Sequence, residues 1–123
     1  MAFPDEPVLD PSYLYESSDG DLEFMEAVLR EYVDGTAENV AELRAAFSQG
    51  DRLTLCRAAH SVKGASASVG ALRVMSAAAR LEALATDDAL DVADVLTELE
   101  LEFEHLSTLV ARGNALLVVS AIR

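Results

Sequence analysis

The sequence predicts an all-α protein, an antiparallel up-and-down four-helix bundle with an additional N-terminal helix packed across it. Three observations lead there. The 123-residue chain is 51% hydrophobic but has no Trp and only 6% aromatic residues, and it is rich in Ala and Leu, which suits packed helices better than sheets. All three prolines lie within the first eleven residues, so no later segment is barred from the helix by a missing N–H. Gly35, Gly50, Gly70 and Gly113, together with Thr86-Asp87-Asp88, divide the remainder into stretches of helical length with apolar residues three and four apart. A chain of this size buries roughly two thirds of its unfolded surface, enough for one core.

In chain order, residues 1–18 hold Pro4, Pro7 and Pro11 without sustained periodicity and read as a lead-in. Ser18 or Asp19 can cap a first helix over 21–33, with Leu22, Met25, Leu29 and Tyr32 on one face, and Asp34-Gly35 is expected to end it. Thr36 then caps a second helix whose seam is Val40, Leu43 and Phe47, stopped by Gly50. Asp51 caps the third helix, and Gly70 marks the turn into a fourth, over 71–85, rich in small residues. The fifth helix follows Thr86-Asp87-Asp88, whose acids favour the positive helix N-terminus. Its apolar residues Leu96, Leu99, Phe103, Leu106 and Val110 repeat as a coiled-coil-like seam, and Gly113-Asn114 ends it. The bundle domain is thus assigned to 19–114, with 115–123 as an apolar C-terminal extension that docks on the body or offers a partner surface.

Charge narrows the function classes. A net charge of −13 opposes nucleic acid and anionic membrane as primary partners, since both are polyanions. No apolar run is long enough to span a bilayer. Asp5 and Glu6 stand where a secretory signal would need a basic segment, and the single Cys56 cannot form an internal disulfide, so a cytoplasmic protein is expected. The window from Arg52 to Leu81 holds Arg52, Arg57, Lys63, Arg73 and Arg80 and no acid. With the whole chain at −13 and this window at +5, the remainder carries −18.

The third helix lies in that window. Leu55, Ala59, Val62, Ser66 and Val69 fall within a sector of about 80° at about 100° per residue, which defines a core face. Measured from its centre, Lys63 lies near 80°, Ala67 near 120°, His60 near 140° and Gly64 near 180°, on roughly 3.6 residues per turn. His60 therefore points outward, with Cys56, Lys63, Gly64 and Ala67 as its helical neighbours on that side. Gly64 costs about 1 kcal/mol relative to Ala inside a helix, and because Ser66 and Val69 keep the seam in phase beyond it, the helix is expected to continue rather than end there. A glycine one turn from an exposed imidazole leaves the ring open to another protein, and Lys63 offers a point charge to phosphoryl oxygens.

The pattern His60-x-x-Lys63-Gly64-x-Ser66, followed by Gly70-Ala71 and by Leu81-Glu82 in the next helix, resembles the histidine phosphotransfer (HPt) domains of two-component phosphorelays. The resemblance covers roughly residues 20 to 112 and includes the Gly50-Asp51 entry to the histidine helix. Val62 departs from it, since the family usually has Leu before the lysine, but the position stays apolar.

The resemblance implies a stand-alone phosphotransfer protein that accepts a phosphoryl group on His60 from a receiver-domain aspartyl phosphate and passes it to another receiver aspartate. It implies no ATP-dependent kinase activity of its own. By the same resemblance His60 is the nucleophile, Lys63 stabilises phosphoryl charge and Gly64 provides steric access. Arg57, Cys56, Ala67 and Ser66 are assigned to the partner surface. No cofactor of its own and no metal site are expected, the Mg²⁺ belonging to the receiver; the partners are response-regulator receiver domains, with a hybrid histidine kinase as a further candidate, and the protein is expected to be a monomer. The basic window would orient an acidic receiver.

Other readings weigh less. Glu102-x-x-His105 has the spacing of di-iron carboxylate bundles, but those need a second such pair and two more glutamates, and His60 has Arg57 three residues before it. Cys56 beside a bundle core is more simply a small packing residue than a thiol nucleophile. Ser66 falls on the core side of the wheel, where packing is its simpler role. The rival to phosphotransfer is a helical adaptor, or a degenerate HPt fold, that binds receivers or kinases without carrying phosphate.

Overall fold

The structure is a computed structural model that describes residues 7–85 and 89–113. Five helices follow one another: α1 (Ser12–Ser18), α2 (Leu22–Gln49), α3 (Arg52–Val69), α4 (Leu72–Leu84) and α5 (Ala89–Ala111). Helix α2 packs on α3 and α5, α3 on α4, and α4 on α5, so α2 to α5 close a four-helix ring, and α1 lies against α2 and α3. The expected bundle with one additional N-terminal helix is present, but the chain is cut into helices at different places.

Residues 21–33 and 36–49 form one helix, not two. α2 runs 28 residues through Asp34-Gly35, about 42 Å at 1.5 Å per residue. Tyr32 and Thr36 on either side of the glycine are both buried, so the core-facing stripe stays in register across it, and tertiary packing outweighs a glycine cost of about 1 kcal/mol. Thr36, expected as a cap, is a core residue. The additional helix is α1, inside the stretch read as a lead-in. Pro11 sits at its N-cap, where a missing N–H costs nothing, and Asp10 accepts from the Ser12 amide at 3.0 Å and the Ser12 hydroxyl at 2.6 Å. Asp19, at φ 56°, closes α1 in the left-handed conformation, while Asp21 caps α2 by accepting from the Phe24 amide. Leu22, expected on the core face, is exposed one residue after that cap.

The remaining elements follow the pattern read from the chain. Asp51 caps α3 through the Thr54 amide at 3.1 Å, and Leu55, Ala59, Val62, Ser66 and Val69 are all buried. In α4 the buried residues are Val74, Ala77, Ala78 and Leu81, whose small side chains let the neighbouring helices approach closely. All five predicted seam residues of α5 are buried, with Val92 added; each such aliphatic side chain contributes about 1.5–3 kcal/mol. Phe103 meets the Tyr32 ring edge-on with centroids 6.3 Å apart, and Arg44 bonds Glu100 and Thr97, which ties α2 to α5.

Gly70, at φ +76°, ends α3, and the N-terminal strap crosses it: the Asp10 amide donates to the Gly70 carbonyl at 2.8 Å. A Cβ at Gly70 would overlap the Asp10 carbonyl oxygen. Thr86-Asp87-Asp88, Asn114 and the extension 115–123 lie outside the described residues. Among the described residues no helix is long and apolar enough to cross a membrane.

Candidate functional site

Helix α3 presents His60 to solvent, its side chain 67% exposed, as the wheel predicts. α3 continues past Gly64 to Val69. A Cβ at Gly64 would meet nothing within 4 Å. Among the described residues no close approach demands the glycine.

What the sequence reading left without a role is Glu82. It lies on α4, on the side that faces α3, and its carboxylate bridges two residues of the histidine helix. Oε2 lies 2.9 Å from His60 Nδ1, and Oε1 lies 2.7 Å from Lys63 Nζ. A carboxylate only accepts, so Nδ1 must carry the hydrogen, and in the neutral ring the lone pair is then on Nε2. Glu82 thereby fixes both the tautomer and the direction of the imidazole. Its own carboxyl is held below the usual range, chiefly by the Lys63 hydrogen bond and then by that from His60, against a partial desolvation that pushes the other way. Leu81-Glu82 was visible as a sequence motif, but its meaning depends on the packing register between α3 and α4.

The other predicted site residues separate into surface and interior. Arg57 is exposed, and Cys56 and Ala67 are half-buried on the side of α3 that bears His60. Cys56 packs against the core. Ser66 is not a partner-surface residue: it is fully buried, and its hydroxyl and that of Tyr32 are 2.6 Å apart. Burial pushes the Tyr32 phenol up to about 12, with the Ser66 and Thr36 hydrogen bonds pulling the other way.

The basic window is not a basic patch in space. Lys63 pairs with Glu82, Arg73 lies 3.9 Å from Glu102, and Arg80 lies 2.7 Å from Glu98. Acids of α4 and α5 thus sit on three of its five cations, leaving Arg52 and Arg57, both exposed on α3, as its remaining positive surface, with the Asp51 carboxylate close enough to feel the Arg57 charge. Glu102 is engaged with Arg73 and His105 is exposed, so these two do not converge on an interior site. Among the described residues no group of three or more His, Cys, Asp or Glu could hold a metal ion.

A family model described as Hpt domain matches residues 27–110. The crystal structure of histidine-containing phosphotransfer protein B (HptB) from Pseudomonas aeruginosa PAO1 is similar to this chain, with a TM-score of 0.78 and 27% sequence identity over 88% of this chain and 95% of that one. No curated protein matches the chain. An exposed histidine oriented by a carboxylate on a four-helix bundle, together with a family match over more than half of its length, means that the chain belongs to the Hpt domain family.

Proposed function

We propose that the chain is a histidine phosphotransfer protein of a phosphorelay and that His60 Nε2 is the atom that carries the phosphoryl group. The observation that supports this most directly is the Glu82 bridge, which holds Nδ1–H and leaves the Nε2 lone pair facing solvent. In the transfer step that lone pair attacks the phosphorus of a receiver's aspartyl phosphate. An N–P bond forms, the P–O bond to the aspartate breaks, and the aspartate leaves as a carboxylate. The ring gains positive charge while keeping its Nδ1 proton, and the Glu82 carboxylate 2.9 Å away stabilises that charge as it develops. Onward transfer is the reverse step to a second receiver aspartate.

Such transfer depends on alignment and charge neutralisation more than on covalent chemistry by the protein. Lys63, 36% exposed, supplies a cation to phosphoryl oxygens, the receiver supplies Mg²⁺, and Gly64 keeps the flank of the ring clear. Arg57, Cys56 and Ala67 border the contact. The protein acts as a monomer, with a receiver domain, not a second copy of itself, covering this face.

The test is transfer from purified, radiolabelled receiver domains of the same organism to this protein and to His60→Gln, with an ATP-only control. Label that requires His60, survives base and is lost in acid is the expected result. Receivers that bind without moving label would replace this reading with a non-catalytic adaptor.

A further inference from the structure

We propose that Leu53 is an apolar anchor for the receiver and that Leu53 and Arg57 extend the docking surface from His60 toward the N-terminal end of α3. This rests on the phosphotransfer reading above. At about 100° per residue, Leu53, Arg57, His60 and Gly64 line one ridge along the outermost side of the helix. All four are exposed, and Leu53, at 71%, is the most exposed of the large apolar side chains among the described residues. Seven residues separate it from His60, about 10 Å along the axis.

The size of a docking footprint decides whether that distance matters. A standard interface covers about 800 Å² on each partner and a small transient one about 600 Å², equivalent to discs of roughly 16 and 14 Å radius. A receiver centred on His60 Nε2 therefore covers Leu53, and its footprint loses Leu53 only if its centre shifts by more than about 4–6 Å toward the other end of the helix. Charge argues against that displacement. The chain carries −13 overall, but α3 has Arg52, Arg57 and Lys63 and no carboxylate between Asp51 and Gly70. With Lys63 held by Glu82, Arg52 and Arg57 outnumber the single carboxylate at the entry to this helix, Asp51, which feels the Arg57 charge, so the Leu53 end of α3 is net positive and attracts an acidic phosphoacceptor pocket. The partner surface that fits is thus an acidic pocket bordered, about two helical turns away, by an apolar hollow. Leu101, also exposed, provides an internal contrast. It lies on α5, which packs on α2 and α4, away from the His60 ridge.

The experiment compares wild type, Leu53→Ser, Leu101→Ser and Arg57→Gln in two reactions: transfer from a receiver domain at varied concentration, and labelling by phosphoramidate, a donor too small to need a docking surface. For Leu53→Ser the expected result is an apparent KM for the receiver raised about tenfold, as for an interface anchor, with saturating rate and phosphoramidate labelling unchanged. Leu101→Ser should match wild type, and the defect of Arg57→Gln should shrink as salt rises. Receiver-dependent transfer to Leu53→Ser that equals wild type overturns the proposal while leaving the phosphotransfer reading intact. So does a loss of phosphoramidate labelling, which would place the effect inside the His60 site. If no receiver labels His60, the phosphotransfer reading fails instead. Calorimetric titration of the unphosphorylated receiver into wild type and Leu53→Ser then decides the anchor, with equal affinities overturning it.

Discussion

Glu82 and His60 face each other across the α3–α4 interface with Oε2 and Nδ1 2.9 Å apart, and the second oxygen of the same carboxylate holds Lys63. One side chain from α4 thus sets the position of both functional residues of α3. Glu82→Gln replaces an obligate acceptor with an amide that can also donate, so the ring is no longer held to one tautomer. The expected outcome is a transfer rate at saturating receiver lowered about tenfold or more, by comparison with other orienting residues behind a reactive imidazole. Restoring a carboxylate as Glu82→Asp should recover less than the full rate because the shorter side chain cannot span both partners. Nitrogen chemical shifts of the His60 ring check the cause: the wild type should show the Nδ1–H form, and Glu82→Gln a mixture.

The pH dependence of this bridge has a definite sign. The folded-state pKa of Glu82 lies below its ordinary 4.5, so its contribution to stability is present above that ordinary value and is lost as pH falls through the depressed one. The stability difference between wild type and Glu82→Gln, followed by urea unfolding, should shrink as pH falls below about 5. Because the Lys63 hydrogen bond is the largest cause, Lys63→Met should return the Glu82 midpoint toward 4.5 in a carboxyl carbon titration. A midpoint unmoved by Lys63→Met would mean that the ion pair does not form in solution.

What could be read from the chain, and what could not, divides along the range of the interaction. The α5 seam, the Asp51 cap, the outward His60 and the continuation of α3 past Gly64 are set by neighbours within a few residues, and all match the structure. Asp34-Gly35 carries a local stop signal, yet the helix passes through because Tyr32 and Thr36 are buried against the rest of the bundle. That is a tertiary effect with no local trace. Pro11 weighed against helix by its type while its position, at an N-cap, permits one. The basic window failed as a patch for the same reason that Glu82 went without a role: both depend on which acids α4 and α5 bring across to α3.

Ser66 and Tyr32 form a buried hydroxyl pair beneath the histidine helix. Ser66→Ala removes one of the two hydrogen bonds of the Tyr32 hydroxyl and leaves that with Thr36, and is expected to cost about 1 kcal/mol in urea unfolding. Adding Tyr32→Phe should cost less than the sum of the single changes, because the two substitutions remove the same Tyr32–Ser66 hydrogen bond. Phosphoramidate labelling of His60 should be unchanged in Ser66→Ala, whereas a direct phosphoryl role for Ser66 would slow it.

Gly64 should show opposite effects on stability and function. Its Cβ position is open and it lies inside α3, so Gly64→Ala is expected to stabilise the protein by about 0.5–1 kcal/mol. If the glycine serves the approach of a partner, the same variant should be labelled by phosphoramidate at the normal rate but by receivers several-fold more slowly. Unchanged receiver transfer would remove Gly64 from the site.

Gly70 and Gly50 both adopt left-handed backbone conformations, at φ +76° and +69°, but only Gly70 is crossed by another segment. A side chain at Gly50 meets nothing within 4 Å, whereas at Gly70 it overlaps the Asp10 carbonyl and presses on the Tyr13 ring. Gly50→Ala therefore incurs the conformational penalty alone, about 1 kcal/mol. Gly70→Ala incurs the same penalty and must also push the strap away, breaking the Asp10–Gly70 hydrogen bond and drawing Leu9, now buried, toward solvent. Its cost should be larger by about 2 kcal/mol or more. The comparison also separates strap from bundle. Amide exchange in Gly70→Ala should rise at residues 8–14 while the centre of α3 stays protected, since α3 is held independently by α2 and α4. If the two alanine variants lose equal stability, the strap adds nothing to the fold beyond its own helix.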